Sequence, residues 1–404
     1  MFLDAYTLPS DKLAKAVRLA HIRNVIEFGS TAWTLFFVWL TLHLRWAAAL
    51  RDRAAAITDR RWLQGLLFIP AFLLLLSLAP LPFAVWGHHT SLAYGLSVES
   101  WPAWLWDWTK SLLLTLAVGT PLIAAFFLLV RCSERGWWFW TWLILQPLQI
   151  AAIFLVPYVL DPLFNHFEPL AQSNPALVKQ LERVVARSQA EIPPSRMFLM
   201  KASEKVTGLN AYVTGFGHSK RIVIWDTTVA KATPEEILFI FGHEEGHYAL
   251  NHIRKGLVFS AVFLLVALFV GYRLSRWMVR RYADDWHIAG LEDWAALGIF
   301  ALVFVALEFV SEPATNAFSR RIEHQADVYG QEVVHGIVAN PQQTGVRAFQ
   351  LLGETSLDEP NPNPFVVFWT YSHPSIAERA DFAAHYDPWQ PGKRPRYFPP
   401  EAEK

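Results

Sequence analysis

One cysteine, Cys132, in 404 residues leaves no intrachain disulfide framework and no cysteine-rich metal site. Charge is scarce too. Asp, Glu, Lys and Arg make up 17% of the chain, below the usual share in soluble proteins, and 35 basic side chains offset 35 acidic ones. Without a basic field, nucleic acid is not an expected partner. No internal repeat is found. A cleaved signal peptide is not expected either, because Asp4, Lys12, Lys15, Arg18 and Arg23 precede any apolar run.

Apolar residues, by contrast, are abundant at 53%, with 19 Trp. Six runs reach the length needed to cross a hydrocarbon core of ~30 Å. They are Phe28 to Leu50, Leu63 to Trp86 with Pro70, Pro80 and Pro82 as kinks, Trp108 to Val130, Trp137 to Leu160, Gly256 to Trp277, and Trp294 to Val310. The clusters Trp101, Trp104, Trp106, Trp108 and Trp137, Trp138, Trp140, Trp142 read as interface belts. Buried helices of a soluble protein are the alternative, and six such runs with aromatic flanks argue against it. Residues 1–25 read as an amphipathic helix on the membrane surface, and Gly87 to Trp106 as a loop.

The expected organisation is an N-terminal membrane domain (1–160), a soluble segment (161–255), two further spans (256–312), a polar C-terminal part (313–387) and a loosely ordered tail (388–404). Within the soluble segment, Ala176 to Ala190 is an amphipathic helix. Arg196–Met200, Ala211–Phe216 and Arg221–Trp225 are short strands, with Gly217-His218-Ser219-Lys220 as a hairpin turn. The fold class is therefore mainly α: a polytopic helical membrane protein carrying a small β-sheet.

The chemistry centres on His243-Glu244-Glu245-Gly246-His247, which reads H-E-x-x-H. Thr233-Pro234-Glu235-Glu236 looks like a cap, a first-turn proline and acids at the start of that helix. Residues four apart share a helix face, so His243 and His247 can converge on one tetrahedral zinc, and Glu244 is aimed at water on it. Two surface histidines on an ordinary helix are the alternative until a third ligand is found. The helix-compatible stretch Asn316 to Asp327 offers one. Glu323 can complete a His/His/Glu set, and Asp327, one turn later, can fix the tautomer of a ligand imidazole. A salt-bridged surface helix, with Arg320 and Arg321 beside Glu323, is the competing reading. His252 is out of register for a third histidine and is expected to be solvated near the membrane surface, while His324 points about 100° away from Glu323.

Together with Leu209–Phe216, Lys220–Thr227, Asp161–Asn165 and Phe167, and Tyr371–Arg379, these motifs resemble the integral-membrane zinc CAAX prenyl proteases, and more distantly the HtpX-type quality-control proteases, over about residues 137 to 380. The resemblance implies one zinc per chain on His243, His247 and Glu323, with Glu244 as general base and Asp327 as proton donor. Asn210 would bond the substrate backbone, and His373 and Arg379 would contact substrate near the scissile carbonyl or terminal carboxylate. It implies a peptide or protein substrate, prenylated in that family, a chamber walled by seven helices, and a multi-pass location in a bacterial inner membrane or endoplasmic reticulum with the site facing the cytosol. Six runs are one fewer, the run at 28–50 standing where the family's second span stands. Arginine counts lean toward the opposite orientation: Arg45, Arg51, Arg53, Arg60, Arg61, Arg131, Arg135, Arg273, Arg276, Arg280 and Arg281 flank the far side. A quality-control protease shares the chemistry. A transporter or channel with structural zinc would need a fourth Cys or His ligand, and none stands at a compatible spacing.

Overall fold

The computed structural model describes residues 5–188, 192–215 and 220–399. The Asp4 position, the end of the helix expected to reach Ala190, most of the hairpin turn at 217–220 and the last five residues lie outside them.

The membrane part opens with one continuous helix, α1 (Ser10–His43), which joins the expected surface helix and first span into a single 34-residue rod. Its first turns pack on protein. Ala16 and Leu19 are buried beside Leu357 of the C-terminal part. Arg45, in the left-handed region at φ 61°, breaks the chain before α2 (Trp46–Ile57). The next crossing is a bent pair, α3 (Arg61–Ser77) and α4 (Leu81–Ala93), at 43°, with Pro80 and Pro82 at the break as their fixed φ requires. Helix α4 runs on to Ala93, so the expected loop shrinks to residues 94–100. His88 is the reason: it is buried, stacked on Trp104 (5.2 Å) and edge-on to Trp101 (4.6 Å).

Helix α5 (Trp101–Cys132), capped by Ser100, and α6 (Trp137–Leu155) follow. The latter widens into a π turn at Val156–Leu160 before α7 (Asp161–Phe164). Among the described residues five helices are long and apolar enough to cross a membrane, or six with the bent pair as one span. Their outward faces, such as Leu113, Val118, Leu122, Val258, Val262 and Val266, are exposed, as lipid-facing side chains are.

A four-stranded sheet of order β1-β2-β4-β3 follows. Here β1 (Phe167–Pro169) pairs antiparallel with β2 (Met197–Met200), and β4 (Arg221–Trp225) lies parallel to β2 and antiparallel to β3 (Ala211–Thr214). The sequence reading missed β1, three residues ending in proline. Helices α8 (Leu170–Ser173) and α9 (Pro175–Ser188) lie between β1 and β2, and α10 (Asp226–Lys231) follows β4. Then come α11 (Pro234–Ala249), α12 (His252–Trp286) and α13 (Leu297–Val333). Helix α13 is one 37-residue element, so the expected sixth span and the polar helix after it are the same rod. Helices α14 (Pro341–Ser356), α15 (Pro364–Thr370) and α16 (Ile376–His385) close the chain.

The two largest apolar clusters among the described residues stabilise this arrangement. One, with Leu181, Phe239, Phe241, Val333 and Phe349, joins sheet and helices on the site side. The other, with Phe68, Phe72, Phe127, Trp294 and Ile299, lies at the opposite end of the spans. There Arg51 pairs with Asp293, Arg61 donates to the Glu292 carbonyl, and Arg45 Nε donates to the Asp285 carbonyl at 3.0 Å. The expected loose tail is corrected up to residue 399. Glu332, fully buried, accepts from the backbone N–H groups of Arg396 (2.6 Å), Tyr397 (2.6 Å) and Phe398 (3.1 Å), so the tail is strapped onto α13.

Candidate active site

Helix α11 starts as its sequence dictates. Thr233 Oγ1 accepts from the Glu236 N–H and Glu236 Oε2 accepts from the Thr233 N–H, a reciprocal cap, with Pro234 at the first helical position. One turn separates His243 from His247, and their rings meet edge to face at 4.9 Å. Their Nε2 atoms lie 3.2 Å apart.

Helix α13 brings the carboxylate. Glu323 Oε2 is 3.2 Å from His243 Nε2, and Glu323 Oε1 is 3.5 Å from His247 Nε2. All three ligand atoms fall within 4.8 Å of one another. Glycines on both helices permit the approach. A Cβ on Gly246 would sit 3.0 Å from Tyr329 Cβ, and one on Gly242 2.6 Å from Val333 Cγ1.

The donors fit a metal ion. Bonds of about 2.0–2.1 Å in a tetrahedron put neighbouring ligand atoms about 3.3 Å apart, close to the spacing here. Glu323 Oε2 is buried and makes no aligned hydrogen bond, although ring nitrogens of His243 and His373 approach it to 3.2 and 3.3 Å. Such a convergence of lone pairs suits a shared cation better than a hydrogen-bond network.

The outer layer is equally ordered. Asp327 Oδ1 lies 2.8 Å from His243 Nδ1, and Arg379 grips both oxygens of Asp327 through Nη2 (2.7 Å) and Nε (3.0 Å). Burial disfavours a charged His243, but Asp327 outweighs it and raises that imidazole to about 9. Glu244 is half-buried beside the cluster, and loss of solvent raises its carboxyl above the ordinary range. His373 Nδ1 is 2.9 Å from Ser372 Oγ, with the other nitrogen facing Glu323.

Asn210 lies at the start of the edge strand β3 with its side chain exposed. Its backbone is held by Thr228 Oγ1, 2.9 Å from the N–H and 2.7 Å from the carbonyl. His252, expected to be solvated, is only 3% exposed and contacts His247.

The profile of peptidase family M48 matches residues 171–387, and that of the CAAX prenyl protease N-terminal region, five membrane helices, matches residues 5–166. The chain belongs to peptidase family M48. It is 34% identical over 383 residues to an uncharacterized metalloprotease, YhfN, of Bacillus subtilis, covering 94% of this chain and 87% of that one. It is 28% identical to CAAX prenyl protease 1 homolog of Oryza sativa, covering 93% and 84%, and 28% identical to CAAX prenyl protease 1 of Saccharomyces cerevisiae, covering 78% and 71%. The crystal structure of S. mikatae Ste24p superposes with a TM-score of 0.78 at 24% identity, covering 93% of this chain and 89% of that chain, a likeness of fold. This M48 peptidase is thus a polytopic membrane metalloprotease whose His243, His247 and Glu323 form a single cluster able to hold a metal.

Proposed function

We propose that this peptidase is a zinc endopeptidase that trims C-terminal residues from membrane-associated, prenylated peptides, with one zinc held by His243, His247 and Glu323. The observation that carries the reading is the convergence of these three side chains, two of them buried, from two helices. When bound, zinc supplies Lewis acidity, lowering the pKa of water to ~7 and polarising the scissile carbonyl.

The chain's own groups do the rest. Glu244 takes the proton of the attacking water and passes it to the leaving amine, for which a raised carboxyl is suited. His373 Nε2 donates to the developing oxyanion. Asp327 holds His243 in the tautomer that leaves Nε2 free. Arg379, 10% exposed and gripping both Asp327 oxygens, acts through Asp327 rather than on substrate directly. Asn210 bonds the substrate backbone as it adds to the free edge of β3.

An apolar cavity of about 580 Å³ supports a lipidated substrate. Phe126, Leu264, Phe300, Phe304 and Leu307 line it, and its polar end reaches Thr315 on α13. Thr315 is eight residues, about 12 Å of helix, from Glu323.

The catalytic side faces the cytosol in this reading. Cys132, exposed at the last position of α5, then labels from the opposite side. The test of the peptidase itself is Glu244→Ala, which should keep zinc and lose cleavage. The wild-type protein in detergent, given a farnesylated CAAX peptide, its unmodified twin and an unfolded chain, reports the substrate class. Preference for the unfolded chain would assign quality control instead.

A further inference from the structure

We infer that His252 is a positioning residue for His247, and that Lys255 and Gln325 set the proton arrangement of this histidine pair from outside the site. The inference rests on the metallopeptidase reading above.

Lysine can only donate. Lys255 Nζ lies 3.4 Å from Oε1 of Gln325, an acceptor, so the amide is oriented with its oxygen toward the lysine. The same Oε1 is 3.2 Å from Nε2 of His252. That nitrogen must carry the proton of a neutral imidazole, which leaves Nδ1 of His252 bare and able to accept. Nδ1 of His252 faces Nδ1 of His247 at 3.2 Å, so His247 donates there. Its remaining nitrogen, Nε2, then holds a lone pair aimed at the cluster with His243 and Glu323. Every proton along Lys255, Gln325, His252 and His247 is fixed, and the outcome is the tautomer a ligand imidazole needs.

The backbone is built for this contact. On an unbroken helix a residue five positions on would point about 140° away. Asn251 instead takes the left-handed region, φ 56°, between α11 and α12, and returns His252 to the face of His247. The rings meet edge to face at 5.1 Å, and His252 is buried. The two histidines of the cluster are thus held differently: His243 by a carboxylate, His247 by a neutral ring ending in an amide. A second carboxylate would raise ligand basicity and blunt the Lewis acid, whereas a neutral acceptor orients His247 without that charge.

The test measures zinc affinity of the full-length protein in detergent by chelator competition, and the visible spectrum after cobalt(II) loading. His252→Phe keeps a ring but offers no acceptor. It should weaken zinc binding by about 10–100-fold and alter the cobalt bands. His252→Asn puts an amide oxygen near the Nδ1 position and should recover most of that loss. A His252→Phe protein that binds zinc as tightly as wild type with unchanged bands overturns the inference, as does an Asn variant no better than Phe. If His252→Phe does not fold, the half-buried Gln325 decides. Gln325→Leu should weaken zinc binding while Gln325→Glu, which still accepts from His252, should not, and equal behaviour overturns the inference. Wild-type protein that takes up no zinc overturns the peptidase reading and this one with it. Wild-type uptake with indifferent variants overturns this one alone.

Discussion

Gly330 lies directly against the backbone of His243. A Cβ at Gly330 would stand 2.8 Å from the His243 nitrogen and 2.9 Å from its Cα, distances no real side chain tolerates. The contact sets how closely α13 can approach α11, and so whether Glu323 reaches the two imidazoles. Gly330→Ala should cost about 1–3 kcal/mol through overpacking and weaken metal binding at the same time. Gly256→Ala, where a Cβ meets nothing within 4 Å, serves as the control and should do neither. Melting temperature and zinc affinity in detergent decide; unchanged values for Gly330→Ala would refute the packing argument.

Arg379 and Asp327 form a buried pair that should behave as one unit. Removing only the guanidinium leaves Asp327, at 1% side-chain exposure, with His243 Nδ1 as its remaining partner, a loss of up to about 3–5 kcal/mol. Arg379→Met should therefore destabilise strongly, and Arg379→Met with Asp327→Asn should be less damaging to stability than additivity predicts. Chemical denaturation of the four proteins in the cycle measures the coupling. A coupling near zero contradicts the pairing.

Glu245 carries a pH dependence of its own. Burial raises its carboxyl to about 7, against a lowering hydrogen bond from Ser188 Oγ at 2.8 Å. A folded-state value above the unfolded one means stability is fully present below the unfolded pKa, near 4.5, and is lost as pH rises through about 7. Glu245→Gln keeps an acceptor for Ser188 and removes the ionisation. It should stabilise the protein by roughly 2–3 kcal/mol above pH 7 and leave it unchanged at acidic pH. Melting curves of both proteins across pH 4.5 to 8.5 check this, and parallel curves would exclude it.

The strap around Glu332 predicts an effect far from the chemistry. Ending the chain after Pro395 removes the three backbone donors that satisfy this carboxylate and leaves it the Tyr386 hydroxyl. Hydrogen bonds to a charged group contribute about 1.5–3 kcal/mol each. The truncated protein should melt well below the full chain, and Glu332→Gln in the truncated background should recover part of the loss, since a neutral amide is cheaper to bury. Equal melting of full and truncated chains would sink the idea.

Much of this could be read from residue order because the signals are local. Thr233, Pro234 and Glu236 write the start of α11 into four positions, and the spacing of His243 and His247 fixes their shared face. Glu323 and Asp327 were legible as chemistry, although nothing in the chain states that two spans return them to α11. What escaped depends on backbone geometry. His252 looks out of register until Asn251 turns left-handed. The tail binds through main-chain N–H groups, which every residue possesses and no composition reveals. Residues 87–93 looked like a loop because Gly87 and two histidines suggested one, whereas His88 is packed between indoles.

Because α13 runs as one helix from Leu297 to Val333, with Pro313 in its interior, a single element carries both a lipid-crossing stretch and the carboxylate that closes the cluster. A bound ion would then act as a rivet between a part solvated by hydrocarbon and a part solvated by water. Bilayer thickness, which changes the tilt of such a helix, becomes a variable to which occupancy of the rivet must answer.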